Sequence, residues 1–258
     1  MLKLSYYIYN HIVNQIPKMM KQLLTIFALI IFLPVYTHAQ KENDFIPVDW
    51  KEIKKVAEND PQQINDLVAR MASSEIDTTM TWNERILAYY GQSFLKPFSG
   101  FSEGRKLNKL LEEGKYEECL AGAKELLKEN PLSLEALSNA GFSIGMMLED
   151  STHHYDVTEK EAKEYFTRMF IIFTTIARTG DGTSERPFSV TMVSDEYLFM
   201  HYHLDIWEIE SQYLTSNDCD GFDLKEPSEE YPRKQIFFDV SRVLEIEREM
   251  FMKEIQHR

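Results

Sequence analysis

The chain has 258 residues, 43% of them hydrophobic and 12% aromatic, with a formal net charge of −14 at pH 7. That apolar content supplies a packed core and excludes a disordered polar chain, and the length fits one domain or one and a half. All acidic residues lie beyond residue 41, and such a surface repels phosphate backbones and anionic bilayers, which argues against nucleic acid and membrane as partners.

The N-terminus reads as an address. Lys18 and Lys21 flank Met19-Met20, an apolar run follows from Leu23 to Tyr36, and Thr37-His38-Ala39 precedes Gln40. A basic region, a short apolar region and a small-x-small cleavage pattern make a secretory signal. The run falls short of the roughly 20 residues that cross a bilayer, the alternative being an uncleaved anchor. Residues 1–19 read as an extension upstream of a leader that starts at Met20, and residues 40–258 as a single mature domain. Removal of Lys3, Lys18 and Lys21 with the leader lowers the net charge by three, to −17. The expected location is the periplasm or the exterior, with no membrane attachment after cleavage.

Helices dominate the first part of the mature chain. Asp49-Trp50-Lys51-Glu52 opens the first, with Asp49 capping free amides and Glu52 reaching back. Asp60-Pro61 restarts at once, and Ile64, Leu67, Val68 and Met71 form a stripe at three- and four-residue steps. Thr81-Trp82-Asn83-Glu84 is a further capping box, leading through Ile86, Leu87, Tyr90, Phe94 and Leu95 until Pro97 ends the helix. The aromatic cluster Tyr89, Tyr90, Phe94, Phe98 and Phe101 reads as core, the other reading being a groove for sugars or peptides.

Residues 107–150 hold the clearest periodicity. Leu107, Leu110, Leu111, then Tyr116, Leu120, Ala123, Leu127, then Leu134, Leu137, Ala140, Ile144, Met147 and Leu148 keep one face of each helix apolar. Gly114 stands where a left-handed cap ends the first helix, and Asn130-Pro131 is expected to start the next. Gly114-Lys115-Tyr116, Cys119, Pro131 and Gly141 give this stretch the look of a tetratricopeptide repeat, over one repeat and the first helix of a second. Leu107 stands where that repeat wants glycine. One repeat cannot bury its own apolar face, so the rest of the chain must cover it.

Beyond a polar loop at residues 149–157, Thr158 caps a long helix carrying Ala162, Tyr165, Phe166, Met169, Ile172, Phe173 and Ile176, expected to run through the middle of the fold. The glycine-rich stretch at 179–185 fits no phosphate-binding spacing and reads as a turn. Leu198, Met200, Tyr202, Leu204 and Ile206 then alternate with Phe199, His201, His203 and Asp205, the step of a half-buried strand, although Ser194-Asp195 also suits a helix cap. Residues 209–214 and 221–224 read as a hairpin, 235–240 as a further strand, and 241–255 as a closing helix.

His201, His203 and Asp205 would share one strand face and are the candidate metal ligands, with His153, His154 and Asp156 a second small cluster. Ser216, Asp218, Asp220 and Gly221 imitate half of a calcium loop, but Pro227 stands where a glutamate is required. Cys119 and Cys219 either pair, closing a loop worth roughly 4–5 kcal/mol, or remain buried thiols.

The runs 187–197 (PFSVTMVSDEY), 219–224 (CDGFDL) and 236–251 (IFFDVSRVLEIEREMF), with the leader and the hairpin, resemble a family of exported proteins from Gram-negative gut bacteria, domain-of-unknown-function family 4919. The resemblance implies export and a shared fold over nearly all of the mature chain, with no activity or catalytic residues to transfer. The expected fold is α+β: mainly helical, with a small C-terminal antiparallel sheet and a closing helix. The expected function is a non-enzymatic binding module whose helical hairpins present a repeat-like groove to a protein or peptide of the cell envelope, without cofactor. A metal-assisted envelope hydrolase using His201, His203 and Asp205 is the alternative.

Overall fold

Capping chemistry sets most helix starts. The computed structural model describes residues 45–96 and 103–256, so the leader, Phe98 and Phe101 lie outside the described residues. Asp49 accepts the Glu52 amide at 3.0 Å and opens α1 (Trp50–Asn59), while the Glu52 side chain turns outward to Lys55 instead of reaching back. Asp60 caps α2 (Pro61–Met71), and the Thr81–Glu84 capping box, reciprocal as expected, starts α3 (Trp82–Leu95). After α4 (Glu103–Glu112), Gly114 takes φ 71°, and the amides of Gly114 and Lys115 bond back to Leu111 and Leu110. This is the Schellman closure, which only glycine enters cheaply.

Next comes α5 (Tyr116–Glu129), which Asn130 closes by donating its amide to Leu126. Asn130 therefore ends a helix instead of starting one. The cap of α6 (Leu134–Glu149) is Ser133, whose hydroxyl accepts the Ala136 amide at 3.2 Å. Thr158 caps α7 (Glu159–Ala177) in the same way.

The enclosed helix is α6. It is buried without a break from Ala136 to Ile144, more than two full turns, so every face is covered. Helices α4, α5 and α7 pack on it, and so does α8 (Val193–His203). Small residues at Ala136, Ser138, Ala140, Gly141 and Ser143 permit that approach from all sides, and the ring of Phe166 lies where a Cβ on Gly141 would stand. The longer and strongly apolar α7 was expected in that place. It exposes Lys160 and Lys163 in its first turns, and its second half, buried at Met169, Ile171–Phe173 and Thr175–Ile176, packs on α6, α3, α8 and the sheet.

The strands are β1 (Phe188–Ser189), β2 (Ile209–Leu214), β3 (Cys219–Leu224) and β4 (Gln235–Asp239), followed by the closing helix α9 (Ser241–Gln256). Their order is β1-β4-β3-β2. The expected hairpin and last strand are present, but the sheet is mixed instead of wholly antiparallel, because β1 pairs with β4 in parallel. Parallel neighbours need a long crossover, here the whole α8–β2–β3 stretch. Two residues carry no periodicity, which leaves β1 without a sequence signal. One sheet face, with Phe222, Leu224, Ile236 and Phe238 fully buried, packs toward Tyr197 and Phe199 of α8. The protein is thus α+β and mainly helical.

The stretch read as a strand over 198–206 is α8. All of Asp195–His201 is buried, and a helix enclosed on every side shows no 3.6-residue stripe. Its apparent two-residue alternation is a coincidence of composition. Among the described residues no helix is long and apolar enough to cross a membrane.

Candidate functional site

The first turn of α8 carries two acids into the core. Asp195 is 2% exposed, and its Oδ2 accepts the Tyr89 hydroxyl at 2.7 Å, the Thr191 hydroxyl at 3.1 Å and the Met192 amide at 3.0 Å. The last of these is the reach-back of an N-terminal cap. Burial raises its carboxyl to about 6, against the downward pull of Tyr89 and Thr191.

Glu196, next in sequence, is fully buried, and neither carboxyl oxygen has a hydrogen-bond partner. Burial pushes it well above the ordinary range, and the charges of Asp220 and Asp195 push it further. Asp220 projects from β3 onto the same side of the sheet as Phe222, where Gln212 donates to it at 3.0 Å. Gln212 accepts in turn from the Tyr197 hydroxyl at 2.7 Å. A buried neutral carboxyl without partners loses the desolvation energy of its O–H and C=O, and an ionised one loses far more.

A third acid arrives from α6. The half-buried Glu135 accepts the Asn108 amide at 2.8 Å and the side chain of Ser194, and its carboxyl lies directly on the backbone of Gly104 in α4. Burial raises it to about 7, opposed chiefly by the Asn108 hydrogen bond, while the charge of Asp195 adds to the rise. Asn139 ties the same network to α6, donating to Asn108 and to the Glu135 carbonyl, both at 2.8 Å. Glu135, Asp195, Glu196 and Asp220 thus come together from α6, α8 and β3. This gathering was not foreseen, although the acids of SDEYLFM, set in an otherwise apolar run, were its available signal. Carboxyls with raised affinity for protons suit acid–base work only where substrate reaches them, and Asp195 and Glu196 are enclosed by packing.

The predicted metal ligands are not brought together. His201 and His203 stand two positions apart on a helix, which turns their side chains roughly 200° from one another. The His201 ring stacks on Trp207 at 4.9 Å and 6°, whereas His203 lies against Phe199 at 4.8 Å and Phe173 at 5.9 Å. Burial lowers them to about 3 and about 4, so both imidazoles are neutral at pH 7. Asp205 is exposed, at φ 51°, and accepts the Trp207 indole N–H. The shared face on which this trio rested was that of a strand, and the helix removes it.

His153 and Asp156 sit in an exposed loop, with His153 3.4 Å from Asp150. Of the calcium-like residues, Asp218 forms the β2–β3 turn at φ 56° while Asp220 faces inward. Among the described residues no group of three or more His, Cys, Asp or Glu is arranged to hold a metal ion. Cys119 and Cys219 are free and buried. Tyr89 and Tyr90 are core residues, as expected.

A second feature lies at the surface. β2 is an edge strand, and Tyr213 and Leu214 on it are 36% and 56% exposed. The Thr215 amide donates to Cys219 across the hairpin at 2.8 Å. By the alternation of an antiparallel ladder, the main-chain groups of Leu214 and Gln212 then face the open side. The strand holds neither Lys nor Pro, the usual guards of an edge, and a bulge interrupts it only near Ile209.

The model of one protein family matches residues 51–249, a span that runs from α1 through the sheet and into the closing helix α9. The chain belongs to that family, described as domain of unknown function DUF4919. No curated protein and no solved structure shows significant similarity to this DUF4919 chain.

Proposed function

We propose that this DUF4919 chain is an exported, non-enzymatic binding module that takes an extended, basic segment of an envelope protein or peptide along β2. The observation that carries the reading is the open edge at Gln212–Leu214, which offers main-chain donors and acceptors beside two exposed apolar side chains. Such an edge adds a strand from a partner, with main-chain hydrogen bonds supplying affinity and alternate side chains supplying selectivity. Charge sets the sign of the partner. Glu208, Glu210, Asp218 and Asp223 surround the edge, and of the nearby cations Lys225 is already paired with Glu208. Export is supported by the leader pattern at residues 18–39.

The helical hairpin first suggested a groove of the repeat type. Its inner helix α6 is covered on all faces, so the reading shifts from hairpin to sheet edge. The probe is a ten-residue acetylated peptide alternating Lys with Val or Thr, followed by fluorescence anisotropy. Binding that weakens with salt, that drops at least tenfold in Leu214→Pro and that survives Leu214→Thr is the expected result. Proline removes only the outward amide at that position, and circular dichroism verifies the fold of both variants. Equal binding of a Glu-for-Lys peptide, or no effect of the proline, overturns the reading.

A further inference from the structure

We infer that Glu196 and Asp220 form a proton-dependent latch, which seats the β2–β3 hairpin on α8 while Glu196 carries its proton and loosens it when that proton leaves. The inference does not depend on peptide docking at the edge. Its basis is geometric. Glu196 is 0% exposed and both its carboxyl oxygens lack hydrogen-bond partners, whereas Asp195, the other fully buried acid among the described residues, collects several. Native proteins satisfy most buried polar groups, so an orphaned carboxyl asks for a role.

Two acids act on Glu196, and each has partners of its own. On its own helix stands Asp195, on β3 stands Asp220, and both act on it as acids. From β2 comes the neutral amide of Gln212, occupied with Asp220 and Tyr197. From α3 comes Tyr89, whose hydroxyl is committed to Asp195, and from α6 comes Glu135, which also bears on Asp195. An ionised Glu196 would therefore meet two acids and no compensating donor, in surroundings where like charges repel strongly.

Tyr197 makes specific contacts that hold the hairpin to α8. The Tyr197 hydroxyl bonds to Gln212, and the Tyr197 ring meets Phe222 edge-on at 5.8 Å. Gln212 is the bridge between this contact and Asp220. Movement of β3 away from α8 relieves the repulsion between Glu196 and Asp220 and admits water to both. It also breaks the Tyr197 contact, so release of one proton and unseating of the hairpin are linked.

The sign follows from linkage. A carboxyl that holds its proton more tightly in the seated state than in the open state contributes stability fully below its open-state value, near 4.5, and that contribution falls as pH rises. The test compares wild type with Glu196→Gln, which keeps shape and neutrality, by hydrogen exchange read by mass spectrometry from pH 5 to 8. The expected result is that the wild-type opening constant of the β2–β3 amides, relative to the glutamine variant, rises by up to tenfold per pH unit. Amides of α5 and α6 should show no such ratio.

A ratio independent of pH, or one that rises equally in α5 and α6, overturns the latch. Carbon-13 spectra of glutamate-labelled protein supply a second readout: a glutamate carboxyl that stays protonated at pH 7 in wild type and in Glu135→Gln but is missing from Glu196→Gln supports the inference, and its persistence in Glu196→Gln, or full ionisation of all glutamates at that pH, refutes it. Asp220→Asn assigns the neighbour. It should shrink the total rise of the opening constant with pH, and an unshrunk rise contradicts the role given to Asp220.

Discussion

The indole N–H of Trp50, the first residue of α1, donates to Asp239, the last residue of β4, at 2.8 Å across 189 positions of the chain. Asp239 also caps α9 by accepting the Ser241 amide at 3.0 Å, and Trp50 meets the buried Tyr90 edge-on at 5.3 Å. The helical part and the sheet are pinned together there, with Lys54–Glu245 and the buried Arg242 bonded to Ser93 as further ties. Trp50→Phe removes the donor while keeping much of the ring, so a loss of about 1–3 kcal/mol is expected in urea unfolding. Asp239→Asn keeps an acceptor and a cap and should lose less. The two changes together should fall short of their sum, because both act on one hydrogen bond.

Stability should peak in mild acid. The carboxyls of Asp195 and Glu135 lie at about 6 and about 7 in the fold, above their ordinary range. Groups raised in this way contribute fully below about 4 and progressively less as pH climbs to 6 and 7. Asp77 and Asp150 lie at about 2, lowered chiefly by hydrogen bonds from Thr79 and Thr152, so their contributions are present above about 4 and vanish as pH falls through 2. The two trends together place the maximum of thermal stability near pH 4–5, measured as Tm from pH 2 to 8. Glu135→Gln should flatten the limb between pH 5 and 7 and leave the acid limb unchanged. A maximum at pH 7 or above contradicts the burial assigned to these acids.

Most of the fold was legible where one physical signal dominated. Thr81-x-x-Glu84 and Thr158 marked helix starts because capping is local chemistry, and Gly114 marked a stop because a positive φ excludes most other residues. The β2–β3 hairpin, β4 and α9 fell close to their expected bounds. Illegibility set in where tertiary burial erased the pattern. In α8 every position from Asp195 to His201 is covered, so periodicity had nothing to report, and His201, His203 and Asp205 were assigned a strand face that does not exist. Glu196 and Asp220 are 24 positions apart in sequence, and only the docking of β3 on α8 makes them neighbours.

Gly104 offers a direct test of how tightly Glu135 is held. A Cβ at position 104 would stand 1.9 Å from Glu135 Oε2 and 2.2 Å from its Cδ, so Gly104→Ala must expel the carboxyl from its place. The displacement breaks the Asn108 hydrogen bond and disturbs the Asn139 tie behind it. Overpacking together with a lost charge-assisted bond should destabilise by about 2–4 kcal/mol, against the small gain that alanine brings to an ordinary helix position. Replacing Glu135 by Ala in the same chain removes the clash. The double variant should then be more stable than Gly104→Ala alone, read from urea midpoints, and a less stable double variant would mean that some other neighbour blocks the site.

The two thiols decide how the chain meets an oxidising compartment. Cys119 is fully buried, directs its sulfur to the Leu107 carbonyl at 3.3 Å, and has its thiol raised by burial. Cys219 is 5% exposed and pushed up to about 11, first by burial and then by the nearby charge of Asp239. The thiolate is the reactive form, so both should resist an aromatic disulfide reagent at pH 8 in the native state. Addition of guanidinium without reductant should release two thiols per chain, at rates on the order of 100-fold faster or more. Protein recovered from an oxidising compartment should give the same count, because each sulfur is shut inside its own part of the fold: Cys119 between α4 and α6, Cys219 beside the β2–β3 turn. Fewer than two thiols in denaturant would show that the pair, or one member of it, is oxidised before folding closes over it.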